Sequence, residues 1–392
     1  MRLRRKNRAD STKGASSARG CCNSWKDSLL LVAAGLLWVA SLPRSQLSAY
    51  RRTTVKESTV SPQSSTETQQ PTNDSMNTKT VSSGVVSNPV LSKALSRVQG
   101  TVTKDNGENM TWSITDWKTG SELDPNHPPE FTCRWLNFTA KDSGKTIDIC
   151  AHENEWLSGT IAQYGRWDDC NPLPGLWKDS LTSDNNHAND AIYVDIGTNI
   201  GSCVLEMLLS TQASIIAFEP NPKNQFALKS TMSKLPKELQ DRVVLVPVGL
   251  GAESRVDSLY FASRNMGNGV VSKVIKDYVA QKESDFHKVD IVIERLDSIL
   301  TEDATIPLSK MDAQGYECHV MDGFSSGIAN KISQIKFEVA NKWLREQRCL
   351  DLFTRIRNFG YDIYAGTRLL TDESNEIKGI EDTIAKRKAA TS

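Results

Sequence analysis

Several features are missing from this sequence, and each absence removes a class of function. No C-x-x-C pair and no H-E-x-x-H segment occurs, so neither a thiolate-held metal nor zinc-hydrolase chemistry is indicated. No excess of charge exists either, because 47 basic residues meet 47 acidic ones. Residues 1–27 hold eight basic and two acidic side chains, which puts +6 on this head and −6 on the remainder. A basic nucleic-acid-binding surface on the folded part is therefore not expected. The strand–turn–helix at 191–209 lacks the middle glycine of G-x-G-x-x-G, the pattern that lets a pyrophosphate approach backbone amides at a helix N-terminus. That disfavours a nicotinamide-dependent oxidoreductase.

Charge is absent from Ser28–Leu42, SLLLVAAGLLWVASL, over 15 residues. As a helix this run is about 22 Å long against about 30 Å of bilayer hydrocarbon, a length that thin early secretory membranes tolerate. A cleaved signal peptide and an uncleaved signal-anchor both fit. The long basic head and the lack of a small-x-small cleavage site favour the anchor, with residues 1–27 as a cytoplasmic tail. Residues 43–100 have few large apolar groups and contain 20 Ser or Thr among 58 residues, the composition of a disordered, solvated stem. Tail, anchor and stem together predict a type II single-pass membrane protein facing the Golgi or endoplasmic reticulum lumen, with secretion as the alternative. Sequons at Asn73, Asn109 and Asn137 agree with that compartment.

The cysteines divide the same way. Cys21 and Cys22 fall on the cytoplasmic side, where plain thiols are expected. Two of Cys133, Cys150 and Cys170 are expected to pair in an oxidising lumen, whereas Cys203 and Cys318 read as small buried thiols. Residues 101–190 hold six of the nine tryptophans, which predicts a packed, Trp-rich N-terminal lobe. Within it, residues 155–165 have helical spacing and a glycine stop. The lobe serves either as a cap on the sheet edge or as an acceptor-binding lid whose aromatic faces suit a sugar.

The chain is organised around AIYVDIGTNIGSCVLEMLLSTQASIIAFEPN, residues 191–221. Apolar run, glycine turn, helical patch and second apolar run make a βαβ unit. Asp195 stands near the end of the first strand and Glu219 closes the second. An acid at the end of the second strand is placed to accept hydrogen bonds from ribose hydroxyls. The turn reads Asp195-x-Gly197-x-x-x-Gly201; its carboxylate repels pyrophosphate but suits a ligand carrying an ammonium and a sulfonium, as S-adenosylmethionine does. A plain βα turn with a capping Asp is the bland alternative.

Downstream, the pattern predicts a helix over 225–234, a buried strand over 242–248, and strand fragments at 259–261 and 290–293 around the glycine-rich loop 267–269. It predicts further strands ending at Asp312 and near Glu338, a helix over 345–358 and a last strand over 361–365. Alternating βα units with acids at successive strand ends fit a Rossmann-like sheet. The segments VDIGTNIG, AFEPNP, RLDSIL, KMDAQGYE and IKFEV, in this order over about 191–366, resemble the FkbM family of methyltransferases. The resemblance implies an α/β class I methyltransferase domain over 191–370, with a mostly parallel seven-stranded sheet and flanking helices, and 371–392 as a C-terminal tail. It implies S-adenosylmethionine as cofactor, held by Asp195, Gly197, Asn199, Gly201 and Glu219, with Asp312 and Glu317 as the catalytic pair facing methyl group and acceptor. Asp312 is either a base or an orienting group, or it merely caps the next helix; His319 reads as structural. With anchor and stem, the expectation is O-methylation of a hydroxyl-bearing acceptor, a glycan or glycoconjugate. A non-catalytic glycan- or protein-binding module on the same fold is the alternative.

Overall fold

The computed structural model describes residues 86–181, 190–262, 265–271, 286–340, 351–371 and 380–388. The basic head, the Ser28–Leu42 run, Cys21, Cys22, the Asn73 sequon and residues 43–85 of the expected stem lie outside the described residues. Among the described residues no helix is long and apolar enough to cross a membrane.

In chain order the elements are α1 (Pro89–Ala94), β1 (Gln99–Thr103), β2 (Asn109–Ser113), β3 (Arg134–Thr139), β4 (Thr146–Ala151), α2 (Trp156–Tyr164), a 3-10 turn at Asp168–Cys170 and α3 (Leu173–Leu181). There follow β5 (Ala191–Ile196), α4 (Ser202–Ser210), β6 (Ser214–Phe218), α5 (Pro222–Ser233), β7 (Val243–Val246), β8 (Gly249–Leu250), β9 (Arg255–Ala262), β10 (Asn265–Val271) and β11 (Phe286–Glu294). Last come β12 (Thr305–Met311), α6 (Glu317–Met321), β13 (Ile332–Ala340), α7 (Leu352–Asn358), β14 (Tyr361–Ala365), β15 (Arg368–Leu369) and β16 (Ile380–Arg387).

The main sheet runs β15-β14-β16-β13-β12-β5-β6-β7. Its strands β7, β6, β5, β12 and β13 are mutually parallel, and every residue of β5, β6 and β7 is buried, as strands covered on both faces require. Alternate residues of one strand go to different cores. Ile192, Val194 and Ile196 join one cluster, while Ala191 and Tyr193 join the other.

This sheet has eight strands and is mixed, where seven mostly parallel ones were expected. The difference lies in residues 371–392, read from sequence as tail. Ile380–Arg387 inserts antiparallel between β13 and β14, and β15 adds a short antiparallel edge. The strand escapes notice in the sequence because small buried residues, Thr383 and Ala385, alternate with the charged Asp382 and Lys386. Arg387 anchors it, donating from Nε to the Ile332 carbonyl at 3.0 Å.

A second sheet, β10-β9-β11-β8, gathers the strand fragments expected around 259 and 290. The glycine-rich segment expected as a loop at 267–269 is part of β10.

The end of the expected stem is also folded. Asn88 caps α1, accepting from the Val90 amide at 2.9 Å, Pro89 starts the helix, and Leu91, Ala94 and Leu95 are buried. Nor do residues 101–190 form a Trp-rich lobe with a core of its own. Trp112 is buried with the second sheet and Trp177 with α4 and α5, and Trp117, Trp135 and Trp167 pack at the margin of the latter cluster. The reason is visible in α4, eight of whose nine residues are buried, so that the helix needs cover on the side away from the sheet as well. Even Glu206 is buried there, accepting from the amides of Lys141 and Asp142 at 2.9 and 3.2 Å. The N-terminal segment is the outer layer of the main sheet. The expected helix at 155–165 is α2, stopped by Gly165 at φ 71°.

Disulfides fasten this layer. Cys133 pairs with Cys150, in line with expectation, but Cys170 pairs with Cys203 and Cys318 is disulfide-bonded as well. The reading of Cys203 and Cys318 as thiols is therefore corrected. Cys170 lies 33 residues before Cys203 in the chain and meets it only because the 3-10 turn packs on the first turn of α4. Replacing both by serine is expected to cost about 3–4 kcal/mol of unfolding free energy, measured by urea unfolding. A loss below about 1 kcal/mol would show that the link constrains little.

Candidate active site

Sheet order reverses at β5, with β6 on one side and β12 on the other. The crevice beyond the carboxyl ends of such strands is where doubly wound sheets take their ligands. Three acids predicted from sequence stand there: Asp195 at the end of β5, Glu219 just after β6 and Asp312 just after β12.

The turn after β5 is tightly determined. The amides of Gly197 and Thr198 both donate to the Phe218 carbonyl, at 3.0 and 3.1 Å. Gly197 has φ 77°, and a Cβ there would lie 1.9 Å from the Asp312 carbonyl oxygen. Only glycine lets the two strand-end loops approach so closely. Gly201, at φ 92°, caps α4 over Leu228. Asn199 also sits in the left-handed region, at φ 55°; its amide donates to Glu219 Oε2 at 2.7 Å and its side chain accepts from the Ile200 amide at 2.8 Å. Strand β10 covers this turn, with Gly267 against the Asn199 amide group.

Glu219 is buried. Its Oε1 accepts from the Asn221 amide at 2.8 Å and from Asn224 Nδ2 at 3.3 Å. Burial nevertheless dominates these bonds and pushes its carboxyl up to about 7. Asn224 is oriented in turn by His152, whose Nε2 lies 3.0 Å from Asn224 Oδ1. Burial holds His152 below the usual histidine range, so the ring is neutral at physiological pH. Since Asn224 spends its NH2 on Glu219, its Oδ1 must accept, and His152 is the Nε2–H tautomer. A cavity of about 230 Å³ adjoins this relay, lined by Phe131, His152, Lys223, Phe226, Met266 and His287 among others.

On the other side of the switch point stands Lys310, the first residue of KMDAQGYE, for which no role was expected from sequence. Its Nζ is 3.5 Å from Asp195 Oδ1, 3.5 Å from Asp312 Oδ2, and donates to the Gly197 carbonyl at 3.0 Å. Burial works against its charge, but Asp195 and Asp312 outweigh it and hold the ammonium above the usual lysine range. Asp195 is fully buried, and among the described residues its carboxylate has no donor closer than the Lys310 ammonium. Burial pushes this carboxyl up, opposed by Lys310.

Asp312 is half-buried and accepts from Gln314 Nε2 at 2.5 Å. Glu317 turns inward onto its own loop, accepting from the amides of Ala313 and Gly315 at 3.0 and 3.1 Å. It holds the loop that carries Asp312, and burial raises its carboxyl to about 7. His319 packs its ring on Tyr316, 4.3 Å between centroids.

The residues present fit S-adenosylmethionine. Two left-handed glycines let the turn after β5 pack directly on the Asp312 backbone and on Leu228, and the Asp195 carboxylate at that turn, paired with Lys310, has no closer donor among the described residues where a cationic ligand is expected. Sheet, switch point and acids at neighbouring strand ends together define an α/β domain of the class that binds S-adenosylmethionine for methyl transfer. Residues 195–363 match the Methyltransferase FkbM domain, and the cofactor of this domain is S-adenosylmethionine.

Similar solved structures include an S-adenosylmethionine-dependent O-methyltransferase from Thermotoga maritima, at 9% identity over 74% of this chain and 94% of that one, TM-score 0.31. Another is the precorrin-6y C5,15-methyltransferase of Geobacter metallireducens, at 10% identity over 55% and 89%, TM-score 0.28. A third is a 16S rRNA (adenine(1408)-N(1))-methyltransferase variant from Catenulisporales acidiphilia, at 11% identity over 56% and 93%, TM-score 0.28. No curated protein matches the chain.

Glu219 keeps its proton up to about pH 7 when folded but loses it near 4.5 when unfolded. The folded state thus binds more protons in that window, and this group's contribution to stability falls as pH rises through it. Glu219→Gln is expected to remove that share, so the variant loses less melting temperature than the wild type between about pH 5 and about pH 7.5. Parallel pH profiles of the two proteins in thermal unfolding would contradict the assignment.

Proposed function

We propose that this methyltransferase acts on a hydroxyl of a glycan or glycoconjugate in the lumen of the secretory pathway. The observation that carries the acceptor chemistry is the set of carboxylates on one face at the ends of β12, β13 and β16: Asp312, Glu338 and Asp382. A hydroxyl has a high pKa and gains from carboxylates that accept its proton and fix its direction. Exposed Trp156, with Trp167 edge-on at 5.0 Å, supports a sugar ring as the acceptor body. The disulfides Cys133–Cys150 and Cys170–Cys203 support an oxidising compartment. So do the exposed sequon residues Asn109 and Asn137.

Bound S-adenosylmethionine supplies a methyl group on a sulfonium. On this reading Asp195 receives the cationic methionine end, while Gly197, Asn199 and Gly201 shape the turn around it. Glu219, oriented by Asn224 and His152, takes the ribose hydroxyls. Asp312, held by Lys310 and Gln314, orients the acceptor hydroxyl, and much of the rate comes from this alignment. Glu317 positions the Asp312 loop.

The test is incubation of the protein with methyl-labelled S-adenosylmethionine and fractionated glycan, lipid and protein acceptors. Label is expected in the glycan fraction, on oxygen; label in protein or lipid alone contradicts the reading. Glu219→Ala is expected to weaken cofactor binding by about tenfold or more, the loss of one or two hydrogen bonds to a charged group. Asp312→Asn is expected to lower turnover by about tenfold with cofactor affinity kept. Unchanged cofactor affinity in the Glu219 variant, by isothermal titration, would contradict the site assignment.

A further inference from the structure

Strand β13 carries, two residues before its end, a carboxylate that differs from its neighbours. Met311 pairs in register with Phe337, so Asp312 and Glu338 are adjacent; on the other side Glu338 is the register partner of Asp382 on β16. Both flanking acids have a cation. Lys310 lies 3.5 Å from Asp312, and Lys336 Nζ lies 2.6 Å from Asp382 Oδ1. Lys310 and Lys336 are themselves register partners, so two Lys–Asp pairs stand side by side with Glu338 between them.

Glu338 is half-buried, and no described residue gives its carboxylate a hydrogen bond or an ion pair. The exposed Asp169, from the 3-10 turn that the Cys170–Cys203 disulfide pins to α4, overlooks the same group. An acid with no hydrogen-bond or ion-pair partner among the described residues, beside Asp312 near the carboxyl ends of the parallel strands, has proton-accepting capacity for an acceptor.

We propose that Glu338 is the general base of the methyl transfer, with Asp312 orienting the hydroxyl that Glu338 deprotonates. The inference rests on a hydroxyl acceptor. As the acceptor oxygen forms its bond to the methyl carbon, the carbon–sulfur bond breaks and its electron pair stays on sulfur, leaving neutral S-adenosylhomocysteine. The hydroxyl proton passes to Glu338 and from there to solvent.

The charges around the group suit the role. Burial, then Asp312, Asp169 and Asp382, with Lys336 opposing, push the Glu338 carboxyl up to about 8. A base whose pKa lies near the working pH accepts a proton far more strongly than an ordinary carboxylate. Asp312, tied to a buried lysine, is placed to orient.

Three variants test the assignment in the full-length protein: Glu338→Gln, Glu338→Asp and Asp382→Asn. The first readout is independent of turnover. Infrared difference titration of protein labelled with carboxyl-13C glutamate is expected to show a band titrating near pH 8 in the wild type and absent from Glu338→Gln. The second is methyl transfer to the glycan acceptor. Glu338→Gln is expected to lose about 100-fold or more in kcat, with S-adenosylmethionine Kd within about twofold as evidence of an intact fold. Glu338→Asp is expected to recover part of that loss. Asp382→Asn, which removes a neighbouring negative charge and frees Lys336, is expected to move the limb of the pH–rate profile to lower pH. A wild type that labels the glycan alongside a Glu338→Gln protein that labels it equally well overturns this assignment alone, as does absence of the titrating band. A wild type that labels no hydroxyl overturns the acceptor reading, and this assignment with it.

Discussion

The site depends on one buried lysine. Lys310 bridges Asp195 and Asp312 while holding the Gly197 carbonyl, so it ties the turn after β5 to the turn after β12 across the switch point. A lysine in this position carries a desolvation cost that only paired carboxylates offset, and two carboxylates without it would repel each other. The amide of Asp312 completes the join by donating to the Ile196 carbonyl at 2.9 Å. Glycine at 197 is then a steric requirement, since any side chain would collide with the Asp312 backbone.

The same economy governs the other half of the crevice. Glu219 holds the amides of Asn199 and Asn221, which makes the acid at the end of β6 the brace of the glycine turn as well. Its orientation is set from outside the family domain, because Asn224 answers to His152 on the N-terminal layer. That layer is more than decoration on a standard sheet. It covers α4, supplies Asp169 within electrostatic reach of Asp312 and Asp382, and is fastened by Cys170–Cys203 to the first turn of the helix that follows the glycine turn.

Much of the fold was legible in the sequence because the central strands are buried on both faces and so read as continuous apolar runs, AIYVDI, SIIAF and VVLV. The helix ending at Gly165 and the strand at 361–365 carried equally local signals. Less local elements escaped. β16 alternates small and charged residues, and β10 is glycine-rich, so neither has a strand signature until a partner strand is known. The pairing of Cys203 escaped for the same reason, since its partner lies 33 residues away.

The chain by itself determined the βαβ unit, the left-handed glycines and the order of acids at strand ends, because backbone sterics and hydrophobic periodicity act within a few residues. Only the tertiary structure decided what those acids do. Lys310 reaching Asp195, His152 reaching Asn224 and Glu338 lying beside Asp382 join residues tens to more than a hundred positions apart, and even the short-range turn of Glu317 onto its own loop shows only in three dimensions. A carboxylate's proton affinity is set by its burial and by the charges that surround it, and those neighbours exist only once the strands are side by side.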